Sequence, residues 1–263
     1  MSAQRERFQE LLQNERGFDQ LFCDLAATEH LCLFHNRNFA EDPIFNHFAV
    51  QEQYYDQLGS DAFFDKKIIQ EAREASFSLK LSTSIFVESF LPKKSTFEKI
   101  AVDLGYRLTD KMEVLSKETT KVERAIKFGV SSTKNVSEWN SVFIQSYGIP
   151  ASWEEELLRR ENKMLLDPNV TFVIARDHDS RALGCTLAFV EPKSCLGIYC
   201  VGTLKEYRGQ GVALDMLAFC ETLALNNNCS MLTLQTLSAD NVSPLYKKVG
   251  YKTDFERDIL WSP

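Results

Sequence analysis

The sequence predicts an α/β chain of the α+β kind, with helices packed on strands. Three observations predict it. Of 263 residues, 44% are hydrophobic and 25% charged, the balance of a folded domain rather than a disordered, collagen-like or low-complexity chain. Apolar residues recur at helical spacing in some stretches and cluster in short bounded runs in others. Two of those runs, residues 170–176 and 182–190, flank the turn Asp177-His178-Asp179-Ser180, the pattern of an antiparallel hairpin. The length suits one or two domains.

The first element is a helix from Arg5 to about Ala27, carried by Phe8, Leu11, Leu12, Phe18, Leu21, Phe22 and Leu25. Strands are expected at residues 31–35 and 44–50, a helix at 62–74 and a strand at 84–88. Ser95-Thr96-Phe97-Glu98 reads as a capping box, opening a helix through Leu104 that Gly105 stops. A strand follows over 107–115, and the polar run 117–121 is the expected linker between domains at 1–118 and 122–263.

The second half has a cleaner grammar. It reads as strand 124–130, helix 135–147 ended by Gly148, and a second capping box, Ser152 to Glu155, opening a helix to Leu166. The hairpin comes next, followed by strand 196–204, helix 212–226, strand 231–236, helix 243–249 and strand 251–260. The order is β-α-α-β-β-β-α-β-α-β.

Several classes are excluded. There is no run of ~18 apolar residues to cross a membrane, and the N-terminal residues lack the apolar core of a signal peptide. The seven cysteines include no C-x-x-C pair and the four histidines are scattered. Buried free thiols in a reducing cytoplasm are expected, with no metal site. The net charge of −7 is uneven: residues 1–120 hold 14 basic against 20 acidic side chains, residues 121–263 hold 16 against 17. That balance argues against nucleic-acid partners. It fits a solvated acidic surface, and is compatible with a cationic partner or substrate.

One stretch carries chemistry. Tyr207-Arg208-Gly209-Gln210-Gly211-Val212-Ala213 follows a strand and opens a helix. Glycines there let backbone N–H groups converge at the positive end of the helix, an anion site suited to a pyrophosphate. A dinucleotide fingerprint would need glycine at Leu214, and the Gly-Lys-Ser/Thr of a P-loop is absent. Taken alone, a Gly-x-Gly turn is more often structural than functional.

It does not stand alone. Residues 208–213 resemble the Q/R-x-x-G-x-G/A signature of the GNAT superfamily of acyl-CoA-dependent N-acyltransferases. Asn241-Val242-Ser243-Pro244-Leu245-Tyr246-Lys247-Lys248-Val249-Gly250-Tyr251 is similar to that family's second cofactor segment, with Ser243 and Pro244 in place of its usual alanine. The resemblance covers about residues 122–261. It implies a GNAT-like mixed, mainly antiparallel sheet flanked by helices, with acetyl-CoA as cosubstrate and no metal.

The family's roles transfer by position. Backbone amides of Arg208, Gly209, Gln210, Gly211, Val212 and Ala213 would cradle the coenzyme A pyrophosphate. The strand before them would splay at a bulge over Cys200-Val201-Gly202-Thr203, with Val201 and Thr203 along the pantetheine arm and the Val201 amide on the thioester oxygen. Asn241 would bind the pantetheine, and Tyr246 would protonate the departing thiolate, as a phenol of ordinary pKa ~10 stays protonated above a thiol's ~8.5. Without the glycine loop, Tyr246 would read as a packing residue. The general base is open. The family's carboxylate position holds Cys195, Glu191 and Tyr199 lie near, and a water relay is equally available. Cys195 and Cys200 read as core cysteines rather than acyl carriers.

The first half resembles a decayed copy of the second. At an offset of 145, Gly105-Tyr106 falls on Gly250-Tyr251, Ala101 on Tyr246, Thr96 on Asn241, and Phe63-Phe64-Asp65-Lys66 on the glycine loop. Such a copy would be a smaller degenerate GNAT-like half without chemistry. The resulting expectation is a cytoplasmic N-acetyltransferase. It would act on a primary amine, of a small molecule in the first instance or of a peptide, with no nucleic-acid or membrane partner. The alternatives are a silent acyl-CoA-binding regulator, a lysine or N-terminal acetyltransferase, and an interaction module.

Overall fold

The computed structural model describes residues 3–91, 93–121 and 125–262. The first half holds helix α1 (Ala3–Phe22), strands β1 (Asp24–Ala27), β2 (Leu31–His35) and β3 (His47–Val50), helix α2 (Ala62–Leu79), strand β4 (Thr83–Glu88), helix α3 (Lys94–Asp103) and strand β5 (Arg107–Glu118). The second half adds β6 (Gly129–Ser132), α4 (Val136–Tyr147), α5 (Glu154–Met164), β7 (Val170–Arg176), β8 (Ala182–Val190) and β9 (Cys195–Thr203). It ends with α6 (Val212–Asn226), β10 (Met231–Leu237), α7 (Ser243–Lys248) and β11 (Lys252–Ser262). This is the element order the sequence predicts for that half.

The chain forms two compact units that trade ends. One comprises Met1–Leu21 and Ser116–Leu234, the other Phe22–Leu115 and Gln235–Pro263. This partition differs from 1–118 and 122–263, because the first helix joins the second half and the last strand joins the first.

In the first unit the strand order is β10-β9-β8-β7-β6. β10 is parallel to β9, and the remaining pairs are antiparallel. Helices α4 and α6 pack on β8 and β9. Helix α4 starts where the Asn135 side chain accepts the Glu138 N–H, and stops at Gly148 with φ +66°, as the sequence predicts. Its Trp139 is fully buried, donates its indole N–H to the Thr186 carbonyl at 3.0 Å and meets Phe172 edge-on. Helix α6 sends Val212 and Met216 into a core with Ala175 and Leu183. Its buried Asp215 accepts the N–H groups of Lys127 and Phe128 at 2.8 and 3.0 Å, tying down the segment before β6.

In the second unit the order is β1-β2-β3-β4-β11-β5. Helix α3 connects β4 to β5, yet the two strands are not neighbours. β11 stands between them, antiparallel to β4 from Arg257 opposite Glu88 to Ser262 opposite Thr83. Phe86, Met112 and Ile259, one from each of these strands, share a core.

Several sequence expectations are corrected. The first helix ends at Phe22 rather than Ala27, because Leu25, Ala26 and Ala27 pair with Phe34, Leu33 and Cys32; strand pairing overrides local helix propensity. The strand expected at 44–50 starts at His47. The helix expected at 62–74 runs on to Leu79. Neither capping box forms. Glu98 is drawn to Lys94, one turn back at 3.2 Å, and α3 opens one residue before Ser95. Before α5, residues 151–153 form a 3-10 turn, and no side chain caps the helix. Three glutamates in its first turn, Glu154, Glu155 and Glu156, favour that end through the helix dipole. Lys117 and Glu118 of the expected linker belong to β5. The strand expected at 124–130 is observed over 129–132; Val122, the expected domain start, and Arg124 lie outside the described residues.

Candidate functional site

Strand β9 pairs in parallel with β10 through its first residues. Met231, Leu232 and Thr233 of β10 pair with Cys195, Leu196 and Gly197, and β9 continues past them to Thr203. Its register with β8 then slips: Leu187 faces Tyr199, whereas Cys185 faces Gly202 and Gly184 faces Thr203. Cys200 sits in this slip at φ +54°, a left-handed conformation that costs an L-residue about 1–2 kcal/mol. Cys200 and Val201 have no partner in the β8 register. This is the bulge expected at 200–203.

Two glycines make the bulge compact. A Cβ on Gly202 would lie 2.8 Å from the Ser146 Cβ of α4. A Cβ on Gly184 would lie 2.8 Å from Val212 at the start of α6. Gly184 was not legible as a site residue, because nothing in its local sequence announces a helix end against the strand. The α4 end is tied to the bulge. Tyr147 donates its hydroxyl to the Val201 carbonyl at 3.1 Å, and Arg208 donates to the Ser146 and Thr203 carbonyls at 2.6 and 3.1 Å. Arg208 thus clamps the loop with its side chain.

The glycine loop has the conformation its sequence predicts. Gly209 and Gly211 have φ of +75° and +97°, and a Cβ on Gly209 would meet nothing within 4 Å. Gly211 is the N-cap of α6, and no side chain caps that helix. Its first amides are therefore free of a side-chain competitor and carry the positive end of the dipole. The open space beside Gly209 and the uncapped amides fit a pyrophosphate. Val212 is buried beneath the loop, and Ala213 is half-buried.

Glu191 and Tyr199 are engaged elsewhere. The Tyr199 hydroxyl bonds Asn14 of α1 at 2.6 Å, and its ring stacks on Phe18 with centroids 3.6 Å apart. A Cβ on Gly17 of α1 would lie 2.5 Å from the Glu191 carboxylate. Glu191 precedes β9 and the glycine loop follows it, so the strand's length, ~25 Å at ~3.3 Å per residue, separates them. Cys195 is fully buried, as a thiol rather than a disulfide.

The other two expected residues belong to the second unit. Asn241 ends a 3-10 turn at φ +51°. Tyr246 is buried in α7, and burial, with help from Asp240, pushes its hydroxyl up to about 12. It is a firmly protonated phenol.

The repeat is visible in hydrogen bonds. Tyr106 donates to the Ala101 carbonyl at 3.0 Å as Tyr251 donates to Tyr246 at 3.2 Å. Gly105 and Gly250 have φ of +100° and +97°. The counterpart of the glycine loop is not residues 63–66, however. Helices α2 and α6 start at Ala62 and Val212, and each buries an aspartate at its fourth position, Asp65 and Asp215. Gly59 has φ +69°, close to Gly209. Leu58-Gly59-Ser60-Asp61 is therefore the counterpart of Arg208-Gly209-Gln210-Gly211. Much of the slip arises because α2 has 18 residues and α6 has 15, so one offset cannot serve both ends. In this copy Asp61 replaces Gly211, and its carboxylate accepts the Phe63 N–H at 2.9 Å, where an anion would otherwise bind.

Among the described residues, no group of three His, Cys, Asp or Glu is disposed to hold a metal ion, and no helix is long and apolar enough to cross a membrane.

Residues 136–251 match the model of the acetyltransferase (GNAT) family. No curated protein matches the chain. Among solved structures, a GCN5-related N-acetyltransferase from Kribbella flavida aligns over 100% of this chain and 96% of its own, at TM-score 0.70 and 13% identity. A GCN5-related N-acetyltransferase from Sphaerobacter thermophilus covers 96% of this chain and 90% of its own, at TM-score 0.67 and 14% identity. A tandem GNAT protein from the clavulanic acid biosynthesis pathway covers 88% and 77%, at TM-score 0.59 and 13% identity. At these identities the likeness is one of fold. Residues 136–251 of this chain are an acetyltransferase domain of the GNAT family.

Proposed function

We propose that the protein is an N-acetyltransferase that moves an acetyl group from acetyl-CoA to a primary amine, of a small molecule in the first instance or of a peptide. The observation that carries this reading is the uncapped N-terminus of α6, opened by Gly209 and Gly211, beside the unpaired bulge of β9. The amides of residues 208–213 would hold the pyrophosphate, and Val201, Thr203 and Asn241 would hold the pantetheine arm. Bound acetyl-CoA supplies the acetyl group as a thioester. The Val201 amide would hydrogen-bond the carbonyl oxygen as charge grows on it, and Tyr246 would give its proton to the leaving sulfur. Burial keeps the Tyr246 hydroxyl protonated at neutral pH, so the proton is there to be given.

In this reading residues 1–118 are the decayed copy and residues 122–263 the active one. Asp61 and Ala101 remove the anion site and the phenol from the first. The seven free cysteines, five of them buried, suit a reducing cytoplasm. The test is a melting curve with and without coenzyme A, then thiol release from acetyl-CoA over polyamines, aminosugars, amino acids and short peptides. Coenzyme A should raise the melting temperature, and one amine class should drive thiol release. Absence of both refutes the reading. A silent acyl-CoA binder would give the first without the second.

A further inference from the structure

Thr186 is the one hydroxyl side chain in β8, and it is fully buried. A buried hydroxyl costs free energy unless it is bonded. Thr186 donates across the sheet to the Tyr199 carbonyl at 2.8 Å. Leu187 faces Tyr199 and Cys185 faces Gly202, so Thr186 alone stands opposite the two bulge residues, Cys200 and Val201. Its own backbone is held from the other side, where the Trp139 indole of α4 donates to the Thr186 carbonyl at 3.0 Å.

The next two carbonyls of β9 are also met by side chains. The Cys185 thiol lies 3.9 Å from the Cys200 carbonyl, and the Tyr147 hydroxyl at the end of α4 donates to the Val201 carbonyl at 3.1 Å. Three consecutive carbonyls, those of Tyr199, Cys200 and Val201, thus each face a side-chain donor. A peptide group is planar and trans, so its C=O and N–H point to opposite sides. The peptide that carries the Val201 N–H carries the Cys200 carbonyl. That carbonyl turns toward Cys185, so the Val201 N–H turns the opposite way. Thr186 holds the peptide before it, and Tyr147 the peptide after it. Side chains of β8 and α4 therefore set the bulge at a place where the β8 register offers Val201 no partner.

We propose that Thr186 and Tyr147 are positioning residues of the acyl-donor site, holding the bulge so that the Val201 amide meets the carbonyl oxygen of the bound thioester. The proposal rests on the acetyltransferase reading. Thr186 is sealed inside the sheet and acts through the β9 backbone. Removing its hydroxyl should therefore affect recognition of the thioester carbonyl and spare the rest of the donor, whose pyrophosphate is assigned to the glycine loop that Arg208 clamps.

The probes are acetyl-CoA and S-ethyl-CoA, a thioether of nearly the same shape that lacks the carbonyl oxygen. Calorimetry measures both on wild type, Thr186→Val, Thr186→Ser and Tyr147→Phe. Wild type should prefer acetyl-CoA by ~2–10-fold, the net worth of one hydrogen bond. Thr186→Val keeps the side-chain volume and loses the hydroxyl. Its preference should fall toward unity while its affinity for S-ethyl-CoA stays close to wild type. Thr186→Ser returns the hydroxyl and should restore the preference, which a role in packing alone would not do. Tyr147→Phe changes a half-exposed side chain with little risk to the fold, and should narrow the preference as well. A wild-type preference in Thr186→Val overturns the proposal, as does one in Tyr147→Phe should Thr186→Val not fold. A parallel loss of both affinities in Thr186→Val also overturns it, since that marks a structural role only. Equal affinities in wild type overturn it too, because the amide then does not meet the carbonyl. If wild type binds neither compound, it is the acetyltransferase reading that fails.

Discussion

Gly211→Asp puts into the second half what Asp61 already provides in the first. Asp61 caps α2 through its own carboxylate at φ −134°; Gly211 caps α6 at φ +97° with no side chain. A capping carboxylate is worth about 0.5–2 kcal/mol, and forcing a non-glycine residue into the left-handed region costs about 1–2 kcal/mol. The two nearly cancel, so the variant should fold with stability within ~1 kcal/mol of wild type. Coenzyme A is a different matter. At ~100 times its dissociation constant it should stabilise the wild type by ~2.7 kcal/mol. For a chain of this size that is ~5–10 °C in melting temperature. In the variant the new carboxylate occupies the anion position and repels the pyrophosphate, so the shift should vanish while the unliganded melting temperature stays close to wild type. Melting curves with a coenzyme A series, and calorimetry on the same samples, read both quantities. A coenzyme A shift of wild-type size in a folded Gly211→Asp protein would refute the assignment of the loop.

Tyr246→Phe should leave coenzyme A affinity nearly unchanged and lower kcat more than KM, by ~10²–10⁴ or less if water substitutes; full turnover would remove the proton-donor role. Gly202→Ala places a methyl 2.8 Å from the Ser146 Cβ, an overpacking worth about 1–3 kcal/mol. It should also loosen the Tyr147 and Arg208 clamps, so coenzyme A affinity should fall with stability; a normal affinity would show that the clamps are dispensable. Calorimetry of wild type should give one coenzyme A per chain, and two would show that the loop ending in Asp61 still binds.

The parts legible in the sequence are those where local chemistry decides. Asn135 and Gly148 bound α4, and the paired glycines fix the loop at 208–213, because caps and positive φ are properties of a few adjacent residues. The end of α1 was illegible for the opposite reason: Leu25-Ala26-Ala27 are neutral locally and are drawn into a strand by residues 32–34. Ser95 and Ser152 carry the right spacing for caps, but Glu98 meets Lys94 and residues 151–153 close a tighter turn first. Glu161 of α5 sits in a run of charged residues, Glu154 to Lys163, where nothing marks it as the one buried without a hydrogen-bond partner. Tyr246 and Asn241 are proposed on motif alone, and the exchange of β11 into the first half's sheet has no local signature at all.

That exchange sets a schedule for the newborn chain. During synthesis β4 emerges long before β11, and the place beside it stays empty until residues 252–262 have been made. In the meantime it presents an open row of N–H and C=O groups, the surface on which strands of other molecules dock. Pairs so distant in sequence also form slowly, since a long loop must close before they are rewarded. A fragment stopped at residue 118 would keep that bare edge permanently. It should therefore assemble with itself or with chaperones rather than remain a free domain.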